Sequence, residues 1–270
     1  MLCFKNGEIV EQVALVDRAF QYGDGCFTTI AVRQGTLQLW HHHMARLKHA
    51  AQQLFLDIDF QQIAQAQQFW QKYSSQDNGT FKILISRGVG QRGYGFAHTP
   101  ADIYFFLYPT SQTSCAYTQI KSGVLEQKIG LIMPHLVGLK SLNRLEQVIL
   151  KQEAQQKNYT EAFVFNVADV LVEGVSSNCF IYINQQWYTP SLSQSGVHGV
   201  MRKEIMTRME NLGLECIEKD LTYVDLQQAE AAFFCNALHP VQAVSQIDHL
   251  LLNCDITQQL FNALTLDCPL

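Results

Sequence analysis

A chain of 270 residues, 47% of them hydrophobic, can bury one large core or two modest ones. Its formal charge of −5 provides no basic field for a polyphosphate backbone, so nucleic acid is excluded as an expected partner. No run approaches the ~18 uninterrupted apolar residues of a membrane span. The opening residues Met1-Leu2-Cys3-Phe4-Lys5-Asn6-Gly7 lack the apolar core of a signal peptide, so a cytoplasmic protein with no membrane association is expected.

The first elements read as β-structure. Asn6-Gly7 between short apolar runs predicts a hairpin over residues 2–10, because that dipeptide accepts the positive φ angles of a tight turn. A short helical piece follows around Asp17 to Gln21. Cys26 to Arg33 reads as a strand with Phe27, Thr29 and Ala31 on one face, Gln34-Gly35 as its turn and Leu37 to Trp40 returning. The spacing of Met44, Leu47, Ala51 and Leu54 predicts a helix from Trp40 to Phe55, with Arg46 beside the apolar stripe. A glutamine-rich helix is expected over 60–73. Strands at Phe81 to Ser86 and Ile103 to Tyr108 enclose a loop, Arg87-Gly88-Val89-Gly90-Gln91-Arg92-Gly93-Tyr94-Gly95. Residues 109–114 have linker composition, which divides the chain into a small α/β domain (1–108), a linker (109–114) and a larger domain (115–270).

The second half reads as a strand near Tyr117 to Leu125, a proline-containing loop, a helix to about Lys157, and strands at Glu161 to Asn166 and Asn178 to Ile183. Gly196-Val197-His198-Gly199-Val200-Met201-Arg202 leads into an amphipathic helix ending near Leu212. Strands near Leu214 to Glu218, Ala231 to Cys235 and Val241 to Gln246 precede a last helix from about Thr257 to Leu264. The eight cysteines (Cys3, Cys26, Cys115, Cys179, Cys216, Cys235, Cys254, Cys268) show no zinc-site spacing and read mostly as buried thiols.

Two segments carry chemistry. Gly138-Leu139-Lys140-Ser141-Leu142-Asn143-Arg144-Leu145-Glu146-Gln147 sets one lysine among leucines at the expected start of a helix. A desolvated amine of this kind has a lowered pKa and condenses with carbonyls. Downstream, Glu173-Gly174-Val175-Ser176-Ser177-Asn178 places a carboxylate between two apolar runs. Together these resemble the fold type IV pyridoxal phosphate enzymes, the group of the D-amino acid and branched-chain aminotransferases. With Tyr22-Gly23-Asp24-Gly25-Cys26-Phe27-Thr28-Thr29 and Cys235-Asn236-Ala237-Leu238-His239-Pro240, the wording within that group is most similar to the lyases that act on 4-amino-4-deoxychorismate.

The resemblance, which spans roughly residues 4 to 245, implies a two-domain α/β fold. The cofactor lies at the domain interface, the larger domain has a β-barrel-like core, and the enzyme is a homodimer. It implies pyridoxal 5′-phosphate as cofactor and aminodeoxychorismate as small-molecule substrate, cleaved to 4-aminobenzoate and pyruvate for folate synthesis. Lys140 is then the Schiff-base lysine and proton-transfer base, and Glu173 the partner of the pyridine nitrogen, with Asn178 beside it. Arg46 and the main chain of Val200 and Met201 bind the phosphate, and Asn236 and Ala237 match a third phosphate-side loop. Members of the group commonly carry threonine where Met201 stands, so only its main-chain donor is expected to serve. Arg92 and Tyr94 are candidates for the substrate carboxylates, and Phe27 and Thr29 for the substrate side of the cofactor, Thr29 with a share in proton transfer.

A D-amino acid or branched-chain transaminase needs the same lysine and glutamate and is the alternative on this scaffold. A nucleotide-binding oxidoreductase or a non-catalytic binding module would require Gly88-Val89-Gly90-Gln91-Arg92-Gly93 to be a dinucleotide fingerprint. The residues that follow cannot begin the necessary helix, and no acid stands about twenty residues on. His41-His42-His43 suggests a metal only superficially, since consecutive helix positions point in different directions. His43 is expected to be structural and the other two solvated.

Overall fold

The structure, a computed structural model, describes residues 1–112 and 116–266. The end of the expected linker (113 and 114), Cys115 and Cys268 therefore lie outside the described residues. The chain divides into two compact units, Met1–Thr113 with Leu139–Asn143, and Ser114–Gly138 with Arg144–Leu270. The lysine segment thus groups with the first unit.

In the first unit, β1 (Leu2–Lys5) and β2 (Glu8–Ile9) form the hairpin about Asn6 and Gly7, both at positive φ. Asp17 caps α1 (Arg18–Tyr22) by accepting from the Ala19 amide. β3 (Gly25–Arg33) turns through Gln34-Gly35 into β4 (Thr36–Leu37). That return strand is shorter than the expected Leu37–Trp40, because Trp40 already opens α2 (Trp40–Leu54). The single glutamine-rich helix is instead two, α3 (Phe60–Ala64) and α4 (Ala66–Tyr73), interrupted at Gln65. β5 (Asn78–Ser86) and β6 (Asp102–Thr110) complete an antiparallel sheet of order β2-β1-β6-β5-β3-β4. β6 runs on through Pro109 and Thr110, which composition had assigned to the linker.

One face of β3 (Cys26, Thr28, Ile30, Val32) is buried, and α2 packs on this strand. Phe4, Phe81 and Phe105 are buried with Trp70 of α4, and Phe81 and Phe105 lie 5.2 Å apart. Phe27 and Thr29 alternate onto the other face and are only half-buried, as a two-residue strand period requires.

The second unit contains β7 (Tyr117–Ser122), a 3₁₀ turn at Pro134–Leu136, α5 (Leu145–Gln156), β8 (Phe163–Phe165), β9 (Leu171–Gly174), β10 (Asn178–Ile183), β11 (Gln186–Pro190), α6 (Val200–Asn211), β12 (Cys216–Lys219), α7 (Tyr223–Gln227), β13 (Ala231–Cys235), β14 (Val241–Ile247), β15 (Leu250–Leu251) and α8 (Cys254–Ala263). Its main sheet has the order β12-β11-β10-β13-β14-β15, with β7 pairing in parallel on β14, while β8 and β9 form a separate two-stranded ribbon. Among the described strands neither sheet closes on itself, so the expected barrel-like core is an open mixed sheet. Phe163, Cys179, Ile181, Phe234 and Val244 form its centre, and the Phe163 and Phe234 rings lie 4.4 Å apart. Among the described residues no helix is long and apolar enough to cross a membrane.

Candidate active site

Lys140 does not begin a helix. The segment around it pairs with the start of β3: Cys26 and Ser141 form an antiparallel bridge, the Phe27 amide donates to the Lys140 carbonyl (3.0 Å), and the Leu142 amide to the Gly25 carbonyl (3.1 Å). Helix α5 starts only at Leu145, which is 71% exposed rather than part of an apolar wall around the lysine. The consequence is a half-buried amine on a backbone held by two main-chain hydrogen bonds, with Nζ 4.8 Å from the centroid of the Phe27 ring.

The same ring faces a second ammonium, which the sequence reading did not single out. Lys82 Nζ also lies 4.8 Å from the Phe27 centroid, and 5.6 Å from that of Phe106. Lys82 stands opposite Thr29 in the β3–β5 register, and burial lowers its pKa. Alternation along β5 was the available signal, because a lysine within Phe81-Lys82-Ile83 must face away from the core.

Arg46 points from α2 toward β3, its Nη1 donating to Thr28 Oγ1 at 3.4 Å. Burial draws its pKa down to about 10, with Cys26 acting in the opposite direction, so it remains a cation at neutral pH. His43 is fully buried, as expected of a structural residue, but His42 is buried as well, at 8% exposure, and not solvated. The rings of His41 and His42 approach to 3.9 Å although the residues are consecutive.

Arg92 and Tyr94 stand on the glycine-rich loop, both exposed, Tyr94 at 90%. Arg92 lines an open cleft of about 400 Å³ with Val16, Gln21, Tyr22 and Gly90. No helix follows the loop, whose glycines serve a turn and not a dinucleotide fold.

In the second unit, Glu173 sits near the end of β9 and not in a loop. It is buried, and its Oε2 accepts from Asn178 Nδ2 (3.2 Å) and the Val197 amide (3.0 Å). Asn178 is buried at the start of β10 and also donates to the Val197 carbonyl (2.9 Å), so it locks the carboxylate to the stretch that leads into α6. Arg144 is near enough for Glu173 to support its charge against the burial that lowers its pKa.

α6 begins at Gly199 with no side-chain cap. Its first-turn N–H groups, those of Val200 and Met201 among them, have no intrahelical acceptor and stand at the positive end of the helix dipole. The side chains of both residues are buried, which leaves the main chain as the donor. A Cβ at position 199 would lie 1.8 Å from Asn178 Oδ1, so only glycine lets the helix start approach the asparagine that holds Glu173. Asn236 turns back on itself, Oδ1 accepting from the Leu238 (2.9 Å) and His239 (2.8 Å) amides, and Nδ2 reaches the Ser176 carbonyl at 3.5 Å. Ala237 is half-buried in the same turn.

Glu161 is another residue the sequence left unremarked. It is 2% exposed, and its carboxylate accepts from the Val175 and Ser176 amides and from Ser176 Oγ (2.7 Å). One buried acid therefore shapes the turn between Glu173 and Asn178. The glutamate at the edge of the apolar run Ala162-Phe163-Val164-Phe165 was the only local hint.

A mixed α/β chain with these two sheets has the architecture of the fold type IV enzymes. It matches the solved 4-amino-4-deoxychorismate lyase from Pseudomonas aeruginosa with a TM-score of 0.90 and 29% identity, covering 100% of both chains. It is 35% identical to the aminodeoxychorismate lyase of Vibrio harveyi over 246 residues, 90% of each protein. It is 27% identical to the D-alanine aminotransferase of Bacillus licheniformis over 253 residues, 90% of this chain and 87% of that one. The model of the class IV amino-transferase family matches residues 25–247. The chain belongs to the class IV amino-transferase family.

Proposed function

We propose that this protein is a pyridoxal phosphate-dependent lyase that converts 4-amino-4-deoxychorismate to 4-aminobenzoate and pyruvate, working as a cytoplasmic homodimer. The observation that carries the reading is Lys140, a half-buried amine on a backbone pinned to β3 and flanked by an aromatic ring. The higher identity to a lyase than to a transaminase over the same share of the chain supports the reaction type. Exposed Leu145, Val148 and Ile149 on one side of α5 support an apolar contact with a second copy.

The residues present suit the cofactor. A phosphate calls for cations and main-chain donors, which Arg46 and the uncapped start of α6 offer. A pyridinium nitrogen calls for a buried, oriented carboxylate, and Glu173 has one. In this reading Lys140 holds the aldehyde carbon, Arg46, Val200 and Met201 the phosphate with Asn236 and Ala237 nearby, and Glu173, steadied by Asn178, the ring nitrogen. When bound, pyridoxal phosphate supplies a carbonyl that condenses with amines and a ring that accepts the electron pair of a breaking C–H bond.

The protein's own groups do the rest. The Lys140 amine takes the proton from the ring carbon that bears the substrate's amino group. The C–O bond to the enolpyruvyl group on the adjacent carbon breaks, and that group leaves to become pyruvate as the ring turns aromatic. Thr29, on the Phe27 face of β3, passes a proton to the leaving group in this reading. Arg92, Tyr94 and Lys82 supply donors and charge for the two carboxylates. No amino acceptor is consumed, unlike in a transaminase.

The test is release of 4-aminobenzoate from 4-amino-4-deoxychorismate without added keto acid, together with borohydride reduction and mass spectrometry of the peptides. The reading expects turnover and a pyridoxyl mass on the peptide containing Lys140. Keto acid-dependent amino transfer without 4-aminobenzoate would move the protein to the transaminases, and a protein that gains no pyridoxyl mass would refute both.

A further inference from the structure

The loop that carries Arg92 and Tyr94 is anchored at its root by its own Arg87, with the Tyr94 ring 5.9 Å from that of Tyr22, and along its length by a residue outside it. That residue is Arg18, which is only 4% exposed at the start of α1. Arg18 Nε donates to Asp24 Oδ2 at 2.8 Å. Its Nη1 faces three main-chain carbonyls of the loop, those of Gln91 (3.3 Å), Gly93 (2.9 Å) and Gly95 (3.2 Å). The guanidinium lies 4.9 Å from the centroid of the Tyr22 ring, and the Tyr22 hydroxyl in turn accepts from the Gly93 amide at 2.9 Å. A Cβ at Gly90 would meet Arg18 Cδ at 2.7 Å, so the loop lies directly on the arginine's stem.

Asp24 is shared with a second arginine at the root of the loop. Arg87 pairs with both oxygens of Asp24 (2.8 and 3.0 Å), donates to the Leu54 and Phe55 carbonyls, and stacks 3.9 Å from the centroid of Phe96. The segment is thus clamped at its base by Arg87 and along its length by Arg18. Four glycines in eight residues would otherwise leave it with high conformational entropy, and a substrate would have to order it on binding.

We propose that Arg18 is a positioning residue for substrate recognition: it never meets the substrate, and it sets where Arg92 and Tyr94 stand to receive the carboxylates. The proposal rests on the reading of Arg92 and Tyr94 as substrate-binding residues. A lysine cannot replace the arginine, because one ammonium cannot span Asp24 and three carbonyls with a planar fork.

The experiment measures kcat, KM, cofactor absorbance and thermal unfolding for wild type, Arg18→Ala, Arg18→Lys, Arg92→Ala and the Arg18→Ala/Arg92→Ala double variant of the holoenzyme. Loss of charge-assisted bonds that act only through substrate binding raises KM for 4-amino-4-deoxychorismate about tenfold or more while kcat changes little. Both Arg18 variants are expected to behave so, with the cofactor spectrum of wild type. With Arg92 already removed, Arg18→Ala is expected to add only a small part of its single-variant cost. Millimolar guanidinium is expected to restore part of the affinity to Arg18→Ala. A fall in kcat at constant KM, or full additivity in the double variant, overturns the proposal. Arg92→Ala with wild-type KM overturns the underlying reading of Arg92, and the positioning role with it. If Arg18→Ala does not fold, Arg18→Lys carries the same test, with faster proteolytic cleavage within 88–96 expected at an unchanged unfolding temperature and uniform stability loss without loop cleavage counting against it.

Discussion

Thr28 Oγ1 and His43 Nδ1 lie 2.6 Å apart in the core of the first unit, and Arg46 Nη1 donates to the same hydroxyl at 3.4 Å. A hydroxyl has one hydrogen to give and two lone pairs to accept with, so Thr28 can bond the Arg46 guanidinium and the His43 imidazole at once. Burial holds the His43 pKa well below the ordinary histidine value, helped by the positive charge of Arg46 and by His42 and His41. An unfolded histidine titrates near ~6.5, so above that pH both states are neutral. Below it the unfolded chain takes up a proton that the folded chain refuses, and stability falls by at most about 1.4 kcal/mol per pH unit from this group. His43→Gln keeps an acceptor for Thr28 and should show a shallower loss between roughly pH 6.5 and 5. Urea unfolding across that range checks it; parallel pH curves for the two proteins would mean His43 titrates normally.

The hydroxyl of Thr28 also steadies the arginine proposed for the cofactor phosphate. Thr28→Val preserves shape and removes the oxygen, while Thr28→Ser keeps it. Arg46→Ala is expected to weaken pyridoxal phosphate binding by roughly ten- to a hundredfold, Thr28→Val by a smaller factor, and Thr28→Ser hardly at all. Absorbance titration of cofactor-free protein measures all three. Equal binding by Arg46→Ala and wild type would remove Arg46 from the phosphate site.

Strong local patterns were legible in the sequence. Alternation gave β3, the Met44-Leu47-Ala51-Leu54 stripe gave α2, and Asn6-Gly7 gave the first hairpin. The leucines around Lys140 misled for a physical reason: Leu139 and Leu142 have helical spacing, but the backbone of Lys140 and Leu142 is used to pair with Phe27 and Gly25, and tertiary hydrogen bonding overrode local propensity. The four-residue strand Leu171–Gly174 was hidden because it is too short for a period to register, so the sequence shows Glu173 only as a carboxylate between two apolar runs. Glu161, Lys82 and Arg18 were overlooked since what each one does depends on partners brought near by folding and not by sequence.

Glu161 tests whether the turn after Glu173 depends on one buried acid. Its carboxylate satisfies the amides of Val175 and Ser176, which would be left without acceptors by Glu161→Ala. That variant should lose roughly 3 kcal/mol of stability, and Glu161→Gln, which retains one acceptor oxygen, less. Chemical unfolding gives the numbers. A fully stable Glu161→Ala would show that the turn holds itself.

Gly199→Ala separates the backbone requirement at the start of α6 from the chemistry of its neighbours. Gly199 has φ −67°, a value any residue adopts, so the substitution carries no backbone strain and acts through the 1.8 Å clash with Asn178 Oδ1 alone. Asn178 must swing away, and Glu173 Oε2 then loses the Asn178 donor. The expected result is a protein that unfolds cooperatively, with modest loss of stability, but binds pyridoxal phosphate much more weakly. Asn178→Ala in the same chain makes room for the new methyl group and should recover the stability of Gly199→Ala without recovering the cofactor affinity, since the donor to Glu173 is still missing. Recovery of both would place the cofactor requirement on the shape of the helix start, whereas recovery of neither would mean that the methyl group strikes something other than Asn178.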